Sequence, residues 1–249
     1  MRVRLLAVVV ACALTGRVMA QAPTASQPPW KAKNLKFFPA DITRGDLTQR
    51  MREFAFALEV RCQYCHAGGN GVTMDDVDFA SDEKPTKLKA RAMLRMTEEI
   101  NKNLLTQVPS RAEPRVEVNC ATCHHGLPLP KSLQTKLFEI VQTDGTDAAI
   151  ARYRQLRKDD TLSGKYNFGE WEINELARRL IEAGNKPAAI AFLEMNGEYY
   201  PQSAAIETQL GFLFEATDKV KALQHYKQAL EKDPNNQLAK TRIAALEKQ

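Results

Sequence analysis

Two pentapeptides constrain this 249-residue chain more than any other feature: Cys62-Gln-Tyr-Cys65-His66 and Cys120-Ala-Thr-Cys123-His124. With five Cys and four His in the chain, chance would give only ~0.002 matches to C-x-x-C-H, so two of them need a chemical reason. Two intervening residues let one helical turn present both sulfurs to the same edge of a flat macrocycle, with the adjoining imidazole swung beneath its centre. That is the geometry of c-type haem attachment: both thiols become thioethers on the vinyl groups, and the histidine becomes the proximal iron ligand. Two covalently attached c-type haems are therefore expected, with Cys62, Cys65, Cys120 and Cys123 as anchors and His66 and His124 on iron. A four-cysteine zinc site is the competing metal reading, and two disulfides are the other alternative. Neither gives the two histidines a purpose.

The N-terminus supplies the matching compartment. Arg2 and Arg4 precede a ten-residue apolar stretch from Leu5 to Leu14, and Val18-Met19-Ala20 ends in a small residue before Gln21. This is the pattern of a secretory signal peptide over residues 1–20, and it implies a periplasmic protein. Lipidation at Cys12, after Val9-Val10-Ala11, ranks second because it leaves the run to Ala20 unexplained; a helix buried in the fold ranks third. Removal of residues 1–20 also removes Arg2, Arg4 and Arg17, so 35 bases fall to 32 against 30 acids, a net charge of +2. Nucleic-acid binding argued from basicity is thereby excluded. No apolar run reaches the eighteen or so residues of a membrane span. Membrane association would come through a partner or through Cys12.

The sixth iron ligands have to come from flanking helices. Residues 46–60 read as a helix with Asp46 as N-cap, and Leu47, Met51, Phe54 and Leu58 form one apolar stripe. A turn near Val60 would fold Met51 back over the first haem. Pro85 opens a second helix to about Leu105, with Leu88, Met93, Met96, Ile100 and Leu104 facing one way. Methionine at helical spacing is usually core filler, so Met51, Met93, Met96, His125 and His225 all stand as candidates at this point.

Residues 34–130 resemble the cytochrome c subunit of photosynthetic reaction centres. The resemblance rests on MREFAFALEVRCQYCH (51–66), DFASDEKP (78–85), RAMLRMTEEINKN (91–103) and VNCATCHHGLPLP (118–130). In that family a helix carrying an axial Met precedes each attachment motif. The resemblance implies Met51 as axial ligand of the first haem and Met93 of the second, with Met96 left to packing. The family subunit carries four haems where this chain has two motifs, and His125 stands where a basic residue usually follows the second motif.

Residues 131–249 read differently. They contain no Cys and form successive amphipathic helices with a period near 33: Leu180 matches Leu213, Ala189 matches Ala222, Leu193 matches Tyr226 and Pro201 matches Pro234. Small residues where helices touch and a closing Pro resemble tetratricopeptide repeats. Gly184-Asn185 and Thr217-Asp218 fall in the inter-helix turns. Residues 137–156 make an earlier pair, with Ala149 and Tyr153 in register, and 237–247 a capping helix. Residues 21–33 are a Pro- and Ala-rich tether. Gly68 to Gly71 relieve crowding after the first motif, and Lys84, Lys87, Lys89, Arg91 and Arg95 read as a solvated basic face.

The expected protein is all-α: a dihaem c-type cytochrome core at 34–130 followed by tetratricopeptide-like repeats at 131–249. Its expected function is one-electron transfer without enzymatic chemistry, the repeats holding redox protein partners. A dihaem peroxidase-like enzyme and a haem-bearing sensor or scaffold are the alternatives.

Overall fold

The computed structural model describes residues 30–109, 116–160 and 164–248. The expected signal peptide, Cys12 and most of the tether lie outside the described residues. Among those described, the regular structure is helical except for one two-stranded antiparallel ribbon pairing β1 (Ala67–Gly68) with β2 (Val77–Asp78). No described helix is long and apolar enough to cross a membrane.

The first helix, α1, spans Arg44–Leu58. Its N-cap is Thr43 rather than Asp46: the Thr43 hydroxyl accepts the Asp46 N–H at 3.1 Å, which places Asp46 in the first turn. Both residues suit an N-terminus, but the earlier one captures the free amides and the acid then faces the helix dipole. Leu47, Met51, Phe54 and Leu58 are all half-buried along the expected stripe, while Phe56 on the other side is 81% exposed. Glu59 ends the helix in the left-handed region at φ 52°, and the Val60 N–H returns to the Ala55 carbonyl at 3.0 Å. That conformation costs a non-glycine residue about 1–2 kcal/mol. It makes the turn that the sequence required near Val60.

The second helix, α2 (Pro85–Glu99), begins on the expected proline. It runs into a π-helical stretch over Ile100–Leu104 and a 3-10 turn over Leu105–Gln107. The basic residues along α2 do not form the expected solvated face. Lys87 is buried, and its ammonium donates to the Phe79 and Ser81 carbonyls at 2.9 and 2.6 Å. Arg91 reaches Asp82 at 2.9 Å and the Asn34 carbonyl at 3.1 Å. The loop from Asp78 to Asp82 supplies carbonyls and a carboxylate that desolvate these cations at little net cost; only Lys89 and Arg95 remain on the exposed side.

Helices α4 (Leu133–Thr143) and α5 (Thr146–Asp159), α6 (Glu170–Glu182) and α7 (Lys186–Tyr199), and α8 (Ala204–Phe214) and α9 (Lys219–Lys232) pack as three successive pairs, and α10 (Gln237–Glu247) packs on α9. The register residues are all inside: Leu180, Ala189, Ala222, Leu193, Tyr226, Ala149 and Tyr153 are at 0% exposure, and Leu213 at 4%. Asn185 and Asp218 cap α7 and α9 from the inter-helix turns. Gly211 allows α8 to approach α9, since a Cβ there would sit 2.8 Å from the Tyr226 ring. Arg157 ties α5 to the segment entering α6, bonding the Tyr153 hydroxyl at 2.8 Å and the Phe168 carbonyl at 3.0 Å beneath the Tyr199 ring.

Candidate functional site

The first motif forms a single 3-10 turn at Cys62–Tyr64, extended by hydrogen bonds from the Cys65 and His66 amides to the Cys62 carbonyl at 3.2 and 3.0 Å. Both thiols are therefore carried on one turn. The turn is fastened to the start of α2, where the Lys84 ammonium binds the Gln63 carbonyl and the Thr86 hydroxyl donates to the Tyr64 carbonyl at 2.5 Å. His66 is half-buried with its ring edge-on to Phe79 at 5.1 Å, and its Nδ1 is buried without a hydrogen-bond partner. Burial first, and then the Lys87 charge, hold its imidazole below the ordinary value, against the opposing pull of the Phe79 backbone. A neutral imidazole is the form an iron ligand needs. The following loop justifies its glycines: a Cβ on Gly68 would lie 2.1 Å from the Asp76 carbonyl oxygen.

The second motif is the short helix α3, Cys120–His124. Asn119 and Thr122 close a reciprocal capping box at its start. His125, at φ 47°, ends it. The Nδ1 of His124 lies 2.6 Å from the Leu127 carbonyl. As a donor to that carbonyl, Nδ1 leaves the Nε2 lone pair available to a metal, the usual arrangement of a ligating histidine. Two anchors hold α3 in place. Gly126 N–H bonds the Ala57 carbonyl of α1 at 2.9 Å. The Asn101 amide clasps Val118 twice, donating to its carbonyl at 2.7 Å and accepting its N–H at 2.8 Å. The first attachment turn is thus pinned to α2, and the second to both α1 and the π-helical continuation of α2.

Cys62, Cys65, Cys120 and Cys123 are all free thiols, so the disulfide alternative has no support among the described residues. Burial raises the Cys65 and Cys120 thiols above the ordinary value. No cluster of three or more metal-ligating side chains occurs among the described residues, as a four-cysteine zinc site would require. Two cavities flank α3. One of about 1340 Å³ lies between α1 and α2 and reaches Cys120 and His125; one of about 460 Å³ is lined by Cys123 and His124. At the second motif, paired thiols on one turn, an imidazole oriented by a carbonyl and adjoining open volume fit a covalently held haem.

Of the candidate axial residues, Met51 is half-buried on α1, whereas Met93 and Met96 are 42% and 46% exposed on α2. None of the three lines either cavity. His225 is engaged elsewhere, with Nδ1 2.8 Å from Glu207 and its ring stacked on Phe214. The sequence reading missed Asn101 and Thr86. An Asn in the middle of a helix is a poor helix former, and that was the available signal for Asn101. Thr86 gives no such signal.

These motif geometries define a c-type cytochrome, a protein with covalently bound haem. The chain belongs to the family of the photosynthetic reaction centre cytochrome c subunit, which it matches over residues 17–163. It is 42% identical over 72 residues to cytochrome c-554 of Chloroflexus aurantiacus, a stretch covering 29% of this chain and 15% of that protein. It is 34% identical over 94 residues to the photosynthetic reaction center cytochrome c subunit of Roseobacter denitrificans, covering 38% and 24%. The chain therefore spans a quarter or less of the length of these two relatives. The family match continues past residues 127–131 through α4 and α5 and stops before α6. Electron transfer is the function that goes with this family.

Proposed function

We propose that the chain is an exported dihaem cytochrome that passes single electrons between protein partners. Cys62 and Cys65 anchor one haem and Cys120 and Cys123 the other. His66 and His124 are the proximal ligands, Met51 and Met93 the distal ones. The bound haem supplies a reversible ferric–ferrous couple. The protein's part would be to hold one iron with His66 and Met51 and the other with His124 and Met93, so that electrons would pass without exchange of ligands. Thioether attachment prevents loss of the group outside the cell, and a His/Met ligand pair raises the potential relative to bis-His. Helices α4 to α9 form tetratricopeptide-like pairs, capped by α10, whose stacking makes an extended surface for a redox partner. Residues 1–20 direct export and are removed.

The observation that carries this reading is the His124 ring, already oriented by the Leu127 carbonyl beside two thiols on the same turn. Intact mass of protein matured in a host with a c-type assembly system tests it. Two haem additions and the loss of residues 1–20 are expected, both persisting under denaturing electrophoresis. A haem-free chain containing zinc would overturn it.

A further inference from the structure

The 460 Å³ cavity beside the second motif is built by two parts of the chain. Cys123, His124 and His125 form one wall, and residues 164–167 with Glu172 of α6 form the other. Glu172 lies beyond the family match, in the first turn of α6, and is only 6% exposed. Its Oε2 is fully buried and has no hydrogen-bond partner. A carboxylate left in that state is strongly disfavoured unless something else at the site compensates it. The cations near it are already committed: Lys131 binds Glu139 at 2.7 Å, and Lys165 is paired with Glu59. Cys123, Tyr166, His124 and His125 are the other ionisable groups on the wall, and Glu175 is the charged neighbour on its own helix.

We infer that Glu172 is a positioning residue for the second attachment site, its carboxyl setting the potential of the iron held at His124 and coupling that potential to a proton. This rests on the proposal of a haem at the second motif. The balance is simple. One electron arrives from the redox partner, one proton arrives from solvent, and the only new bond is the O–H of the Glu172 carboxyl. Added positive charge on the oxidised iron favours the carboxylate, and reduction favours the acid. Burial, reinforced by Glu175, raises this carboxyl above its ordinary value of 4.5.

The test is a redox titration of both haems from pH 5 to 9 in the full-length protein and in Glu172→Gln, Glu172→Asp and His125→Gln. In the unsubstituted protein the second potential should fall as pH rises. In Glu172→Gln it should stay near its acid-limit value, because the amide mimics the protonated carboxyl. Glu172→Asp should restore a slope, and His125→Gln should keep one. The first haem should be the same in all four proteins. Superimposable second-haem curves for the unsubstituted protein and Glu172→Gln would overturn the inference, as would a pH-independent second potential in the unsubstituted protein. Intact mass separates the two levels: loss of the second haem addition from the unsubstituted protein would instead overturn the proposed function.

Discussion

The two halves of this chain solve the problem of a core in opposite ways. From Leu133 onward, two contiguous clusters of buried side chains run through the helix pairs, including Leu137, Ile173, Leu176, Leu180 and Leu193 at 0% exposure. Full burial of each such side chain contributes about 1.5–3 kcal/mol. Over the described residues from 30 to 130, the only buried apolar residues are Ala57, Ala67 and Val77. Phe56, Phe79, Leu88, Met93, Met96 and Leu104 are all exposed there. Peptide alone does not give that half a core, and its order rests on polar fasteners such as Asn101–Val118 and Lys87–Phe79. A flat apolar macrocycle placed against those side chains would supply the missing interior. Half of the molecule is a protein core; the other half is a cradle.

The largest effect should therefore come from preventing haem attachment. Replacement of Cys62, Cys65, Cys120 and Cys123 by Ala should leave the helix pairs folded while the cradle loses protection. Hydrogen exchange checks this residue by residue: amides of α6 to α9 should keep their slow exchange, and those of α1 and α2 should exchange orders of magnitude faster than in the haem-loaded protein. Equal protection of both halves would break the contrast.

What could be read from the sequence follows the same division. In the helix pairs the apolar period sets both the elements and the core, so α10 begins and ends where the pattern puts it, and Leu180, Ala189, Leu193 and Tyr226 are all inside. In the cradle the motifs and both flanking helices were legible, because C-x-x-C-H spacing and Pro85 act locally. The fasteners were not. Lys84 reaching the Gln63 carbonyl, Asn101 clasping Val118 and Lys87 entering the Phe79–Ser81 loop each join residues whose pairing no periodicity encodes. Lys87 misled most, since a lysine on a helix is solvated unless nearby carbonyls are placed to receive it. Glu172 gave no sign at all: an acid in the first turn of a helix looks like an ordinary dipole partner.

The next effect in size concerns the candidate methionines and sharpens the picture of the cradle. Met51→Ala and Met93→Ala should each abolish one thioether-to-iron absorption signature and lower one midpoint potential, with haem content unchanged. Met96→Ala should leave both signatures in place. Optical redox titration of the three variants decides the assignment. Loss of a signature in Met96→Ala but not in Met93→Ala would move the second distal ligand one turn along α2. The reduced unsubstituted protein should also fail to bind carbon monoxide if, as proposed, a His and a Met hold each iron.

The smallest effect tests whether the helix pairs hold together independently of the cradle. Glu215 on the edge of α8 accepts from the Tyr226 hydroxyl of α9 at 2.5 Å and from the Arg242 Nε of α10 at 2.5 Å, joining three helices at one carboxylate. The hydrogen bonds from Arg242 are the main cause holding this carboxyl below its ordinary 4.5, against the opposing effect of burial and with further help from Tyr226. A depressed carboxylate contributes stability that is fully present above its unfolded value and is lost as pH falls through the folded one. The helix pairs should therefore weaken on acidification below about pH 4.5. Arg242→Ala should lower their thermal midpoint by a few degrees at pH 7 and make the acid loss shallower, because less of the depression remains to be lost. Circular dichroism followed against pH reads the helix pairs, and the haem absorption bands read the cradle. The substitution should move the first signal and leave the second unchanged. If both signals shift together, the Lys165–Glu59 pair and the shared cavity wall join the two halves into one cooperative unit, and the contrast between core and cradle would describe composition but not stability.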